Sequence, residues 1–192
     1  AQLEIIRNIC LEYDIKCPMI QEYCSKRSEV LERLANKYQV SKKIAKKLVL
    51  RLCFLGTFSG WCRQQNISGE EDSWITNFSR ELKSIAEKFK DRNHALYESA
   101  RKTKEAKNNK NILGSFFALY LQEVELRIVE KIISWLMTTD VMKHPKSTHH
   151  VGVYEYDGIK LLKENVDKYG KEQLLNDINE KTEELTGFEL KW

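Results

Sequence analysis

Lys43 and Lys47 are four residues apart, so on a helix they project from one face, one turn apart. Two ammonium groups so spaced can clamp adjacent phosphates of a triphosphate, each as a point charge where arginine would grip bidentately. Lysines at this spacing are also common on solvated helix faces. A second group stands far along the chain, where Tyr156-Asp157-Gly158 separates Val151-Gly152-Val153-Tyr154-Glu155 from Ile159-Lys160-Leu161-Leu162. Val, Tyr and Ile suit a half-buried pleated surface, and an Asp-Gly pair supplies the positive φ angles of a tight turn. The pattern predicts a β-hairpin with the Asp157 carboxylate at its tip. Asp-Gly is also a frequent hairpin turn with no chemistry attached.

The elements that must position these groups are mostly helical. Apolar Leu3, Ile6, Ile9 and Cys10 predict an amphipathic helix over 2–13. Cys17-Pro18 marks a turn, followed by a short helix from Pro18 and another from about Ser28. Ser41 is the expected N-cap of the lysine-bearing helix, 42–55, whose Ile44, Leu48, Leu52 and Leu55 form one stripe. Gly56 stops it, and Ser59-Gly60 continues the loop. A long helix is predicted from about Glu70 to Ala100, with Trp74, Phe78, Leu82, Ile85 and Phe89 as its seam. The basic, Asn-rich stretch 101–111 has no apolar anchor and is expected to be a loop. Helix 113–137 carries Phe117, Tyr120, Leu121, Val124, Ile128 and Ile132 at spacings of three and four. A polar loop 138–149 leads to the hairpin, then come a helix at 171–185 and a short strand in 188–192. This is an α+β layout, predominantly helical, with an antiparallel sheet of two or three strands. It divides into 1–138, helical, and 139–192, hairpin, helix and strand.

Composition excludes several classes. Of 192 residues, 42% are hydrophobic and 31% charged, the balance of a soluble globular domain. No apolar run approaches the ~20 residues of a membrane span. The odd set Cys10, Cys17, Cys24, Cys53 and Cys62 lacks a C-x-x-C pair, so the thiols read as free and the compartment as reducing, inside a cell. His144, His149 and His150 lie in a polar loop and read as solvated. The net charge of +4 is mild, and its distribution matters more. Lys42, Lys43, Lys46, Lys47 and Arg51 form one cluster. Arg101, Lys102, Lys104, Lys107 and Lys110 form another, with Glu105 as its acidic partner. Both suit phosphate backbones. The chain opens mid-helix, without an initiator Met, and so reads as a piece of a longer protein.

Lys43-x-x-x-Lys47, seven residues, then Leu55-Gly56 resembles the fingers helix of family A DNA polymerases and single-subunit phage RNA polymerases. Gly114-Ser115-Phe116-Phe117-Ala118-Leu119-Tyr120-Leu121-Gln122-Glu123-Val124-Glu125 resembles their following helix, whose Gln faces the template–primer minor groove. The strand ending in Tyr156-Asp157-Gly158 resembles their palm hairpin. Taken in order, these motifs are most similar to the family A-related polymerases of large DNA viruses and virus-like transposons, often joined to a primase–helicase. The resemblance implies fingers helices with a small antiparallel palm sheet. It implies that Lys43 and Lys47 contact the incoming nucleoside triphosphate and that Leu55-Gly56 replaces an aromatic-Gly pair over the nascent base pair. Gln122, Tyr156 (where a His is usual) and Arg51, one turn beyond Lys47 on the basic helix, would meet the DNA template–primer. Asp157 would be the catalytic residue that holds Mg2+ in a two-metal mechanism. The partner metal Asp belongs to a strand preceding a helix like 1–13, so this fragment alone is expected not to catalyse.

Two other readings fit the same residues. One is a non-catalytic nucleic-acid-binding module of a viral replication complex, holding phosphates through 42–51 and 101–110. The other is a helical scaffold in which Trp61, Trp74 and Trp135 are core. A viral polymerase or module would work in the cytoplasm or nucleus of an infected host, with no membrane involved.

Overall fold

Helices dominate the computed structural model, which describes residues 2–105, 111–144, 146–147, 149–155 and 158–190. Two compact units divide the chain, one of residues 9–120 and one of residues 1–8 with 121–192. Helix α1 (Gln2–Glu12) and helix α8 (Ile112–Leu136) each contribute to both.

Within 9–120, Pro18 opens α2 (Pro18–Ser25), where its missing N–H costs nothing. The next two amides, Met19 and Ile20, donate to the Glu81 carboxylate at 3.0 and 2.9 Å. Helix α3 (Arg27–Tyr38) ends on Gln39 in the left-handed region. Ser41 then caps α4 (Lys42–Cys53), accepting from the Ile44 amide at 3.3 Å as expected from the sequence. The chain does not remain a loop after Gly56. Thr57 caps a further helix, α5 (Phe58–Gln65), by accepting from the Gly60 amide at 3.1 Å. Ser59-Gly60 is therefore a helical first turn.

The single helix expected over 70–100 is two, α6 (Ser73–Arg92) and α7 (His94–Glu105). Asn93 separates them, its side-chain amide donating to the Phe89 carbonyl at 2.9 Å in place of the next helical bond. Helix α7 also takes in 101–105, which the sequence assigned to a loop; 106–110 lie outside the described residues. The core holds the expected Trp74, Phe78, Leu82, Ile85 and Phe89 together with Trp61, Phe116 and Phe117, all buried. Trp74 stacks on Phe78 with ring centres 4.6 Å apart, and Phe89 meets both Phe117 and Tyr120.

The other unit packs Ile132 and Leu136 of α8 against Val141, Met142 and Leu174. A 3-10 turn (Asp140–Met142) precedes a short antiparallel pairing of Lys143 with His150. The hairpin pairs β1 (Val153–Glu155) with β2 (Gly158–Lys160), Val153 opposite Lys160, Tyr154 opposite Ile159 and Glu155 opposite Gly158. Gly158 is thus a strand residue, and Tyr156 and Asp157 lie outside the described residues. Among the described residues this two-stranded ribbon is the whole sheet. Helix α9 (Lys163–Tyr169), absent from the sequence reading, follows β2, and α10 (Lys171–Thr186) ends on left-handed Gly187.

Phe188–Leu190 form no strand. Instead the Glu189 amide donates to Asn8 Oδ1 at 3.3 Å, and Asn8 Nδ2 donates back to the Glu189 carbonyl at 3.2 Å. A helix side chain thus satisfies the backbone groups that a sheet partner would have taken. The helical majority of the expected fold is present.

Candidate nucleic-acid interface

The lysine face of α4 follows from its sequence, Lys-Lys-Ile-Ala-Lys-Lys-Leu-Val-Leu-Arg-Leu-Cys, which contains no acidic residue. Ala45, Leu48, Val49, Leu52 and Cys53 are buried. Burial pushes the Cys53 thiol up to about 12, so it is a small apolar wedge beneath the helix and not a nucleophile. The opposite arc carries Lys42, Lys43, Lys46, Lys47 and Leu50, all exposed. Lys42 pairs with Glu32 of α3 at 3.2 Å. Among the described residues no carboxylate lies within ion-pair distance of Lys43, Lys46 or Lys47. Three neighbouring cations without counter-charges make a patch that attracts phosphate.

The end of α4 is built unusually. The Gly56 amide donates to the Arg51 carbonyl at 2.9 Å and the Leu55 amide to the Leu52 carbonyl at 2.8 Å, the paired bonds of a Schellman ending. The left-handed position in that motif normally holds glycine, yet Leu55 occupies it, with φ +56°. Glycine comes one residue later for a steric reason. A β-carbon at Gly56 would stand 2.5 Å from Arg51 Cγ and 2.9 Å from the Arg51 carbonyl.

Arg51 turns into this corner. Its Nε donates to the Thr57 carbonyl at 3.1 Å and its Nη1 to Gln64 Oε1 at 3.2 Å. Asn111, which sequence reasoning passed over, completes the surroundings of the Leu55-Gly56 turn. Its Nδ2 donates to the Phe54 carbonyl at 3.3 Å, and its Oδ1 accepts from the Gly114 amide at 3.1 Å at the start of α8. Gly114 is obligatory here, since a β-carbon would lie 2.5 Å from the Phe54 carbonyl. An Asn three residues before a Gly at a helix start was the signal available.

Lys43, Lys47, Arg51, Leu55 and Gly56 therefore belong to one helix and its cap. Gln122 belongs to the other unit and is exposed on α8. Asp157 and Tyr156 lie outside the described residues, as do Lys107 and Lys110 of the second basic cluster.

The described part of that second cluster differs from α4. Arg101 donates to Glu98 at 2.7 Å and to Glu105 at 3.0 Å, so the cluster has two acidic partners and not Glu105 alone. The hydrogen bond from Arg101 is the main cause holding the Glu98 carboxyl below its usual range.

No group of three His, Cys, Asp or Glu side chains among the described residues is placed to hold a metal. His144 Nδ1 accepts from the Lys146 amide at 3.0 Å, and His150 Nε2 lies 2.8 Å from the Met137 carbonyl. A groove of about 540 Å³ in the 121–192 region is lined by Asp140, Lys143, His144, Glu164 and Lys168, charges of both signs that largely cancel. The five cysteines are free thiols. No helix among the described residues is long and apolar enough to cross a membrane.

Over 124 residues, 62% of this chain, the sequence is 27% identical to the putative helicase V13 of Sputnik virophage. The match spans 15% of that protein's length. No protein-family model matches the chain, and no solved structure does.

Proposed function

We propose that this chain is the fingers-and-palm portion of a viral template-directed nucleotidyltransferase, a DNA polymerase related to family A. In this reading α4 receives the phosphates of the incoming nucleoside triphosphate. The observation that carries it is the exposed pair Lys43 and Lys47, without counter-charges among the described residues, on a helix that ends in Leu55-Gly56. A lysine required only for solubility gains nothing from lacking a neighbouring carboxylate. A phosphate site does, because each nearby carboxylate would repel the ligand. Gln122 is exposed and so free to meet template or primer bases. Similarity to a small part of a virophage protein named as a putative helicase fits polymerases that are often joined to a primase–helicase.

The chain's own residues would bind and orient. Lys43 and Lys47 would hold the phosphates, Leu55 would lie over the nascent base pair, and Gln122 would contact the duplex. Asp157 would hold Mg2+, whose chemistry is to activate the attacking 3′-oxygen and offset charge on the leaving pyrophosphate. The test is primer extension by a chain extended upstream to include the second metal Asp. Asp157→Asn should abolish nucleotide incorporation while leaving duplex affinity within about twofold, since the carboxylate acts in chemistry and not in phosphate binding. Equal incorporation by the variant would remove Asp157 from the site. An extended parent that binds duplex tightly but never incorporates nucleotides would favour a non-catalytic nucleic-acid-binding module, which the same lysine face would serve.

A further inference from the structure

Arg51 differs from the lysines of the α4 cluster in that two of its side-chain nitrogens donate within the protein. Its Nε and Nη1 donate to the Thr57 carbonyl and to Gln64 of α5, while its own carbonyl accepts from the Gly56 amide. The space it occupies exists because two residues lack side chains. A β-carbon at Gly56 would press on Arg51 Cγ, and one at Gly60 would fall on Nη2. Backbone and side chain of one residue therefore tie the end of α4, the Leu55-Gly56 turn and the first two turns of α5 into a single corner. Lys47 lies one turn upstream of Arg51 and Lys43 two turns, so both ride on whatever fixes that end of the helix.

We infer that Arg51 is a positioning residue, a clasp that holds the lysine face of α4 fixed against α5, and not itself a phosphate contact. The inference rests on the phosphate-binding reading of Lys43 and Lys47. The planar guanidinium suits the task, because one fork reaches a backbone carbonyl and a side-chain amide at once, where a lysine ammonium would reach one.

The experiment is fluorescence anisotropy of a labelled primer–template duplex with the full 192-residue chain across a salt series. Arg51→Lys keeps the charge and loses the fork, while Gly60→Ala keeps the arginine and removes its seat. Both should weaken binding about fivefold, the size of one lost hydrogen bond, with the slope of log affinity against log salt unchanged. A phosphate contact gives another pattern: Arg51→Ala lowers the slope by about one. That pattern, or a Gly60→Ala chain that binds as tightly as the parent, overturns the clasp. Circular dichroism checks that each variant is folded. Should Gly60→Ala not fold, Gln64→Leu removes a single bond of the clasp, and unchanged binding by that variant overturns it equally. Lys47→Glu separates this inference from the reading beneath it. If that reversal leaves binding intact, the lysine face is not a phosphate site, whatever Arg51 does.

Discussion

Helices α4 and α7 look alike as strings of charge and differ as electrostatic objects. Each places several cations within twelve residues. In α4 no carboxylate shares the helix, and Glu32 reaches only Lys42. In α7, Glu98 and Glu105 bracket Arg101 at three and four residues' distance and take up its guanidinium. Pairs at this spacing on an exposed helix add little stability, because solvent screens them. Their larger consequence is to cancel the field that a phosphate would feel. A run of lysines and arginines thus says little about binding until the carboxylates one turn away have been counted.

The largest expected effect breaks the α4 side of this comparison. Reversing Lys43 and Lys47 together to Glu removes two cations without counter-charges and adds two repelling carboxylates. Duplex affinity should collapse, and any remaining salt dependence should be shallower by about two in log–log slope. Lys102→Glu in α7 should cost far less under the same conditions, because Glu98 and Glu105 already depress the local potential. Equal losses from the two helices, measured by anisotropy at low salt, would show that net charge and not the lysine face sets the affinity.

The α7 side can be sharpened in the opposite direction. Glu98→Gln with Glu105→Gln leaves Arg101 without its ionic partners while preserving the size of each side chain. Duplex affinity should rise modestly, with the salt slope steeper by up to about one. Acid should imitate the substitution in part. The Glu98 carboxyl is held low chiefly by its hydrogen bond from Arg101, so the pairing is complete at neutral pH and is lost as pH falls through that lowered value. The parent should therefore move toward the doubly substituted chain only well into acid, while the substituted chain lacks that contribution to its pH dependence.

Local chemistry made much of this legible from the residues alone. Ser41 ahead of a basic amphipathic stretch gave the start of α4, and the three-and-four spacing of Phe117, Tyr120, Leu121, Ile128 and Ile132 gave α8. What could not be read depended on residues distant in sequence. Asn93 splits α6 from α7 by bonding back to Phe89, an option that any Asn has and few use. Ser59-Gly60 looked like loop, because the reason for glycine is the Arg51 side chain arriving from α4. Phe188–Leu190 alternates apolar and polar residues as a strand does, but its hydrogen-bond partner is Asn8, about 180 positions away. Of the candidate site, the lysine face was legible because helical spacing alone defines it. The exposure of Gln122 was not, since a polar residue in an apolar run faces inward or outward according to packing that the run does not specify.

The smallest effect concerns the strained end of α4. Leu55 adopts φ +56° in the position where the Schellman ending favours glycine, whereas Gln39 and Asn66 fill left-handed positions at the ends of α3 and α5. Left-handed backbone costs a non-glycine residue ~1–2 kcal/mol, and Leu55→Gly would recover that. The same change gives up part of a half-buried leucine's ~1.5–3 kcal/mol of burial, and glycine adds ~0.5–1 kcal/mol of unfolded-state entropy. These terms nearly cancel, so Leu55→Gly should shift unfolding free energy by less than about 1 kcal/mol, against ~2–5 kcal/mol for Leu52→Ala in the core one turn earlier. Urea denaturation of the two variants decides the matter. A loss at Leu55 as large as that at Leu52 would mean that its side chain is held by packing. A near-neutral result would mean that stability does not require leucine there, and that the side chain over the turn is available to a ligand of the lysine face.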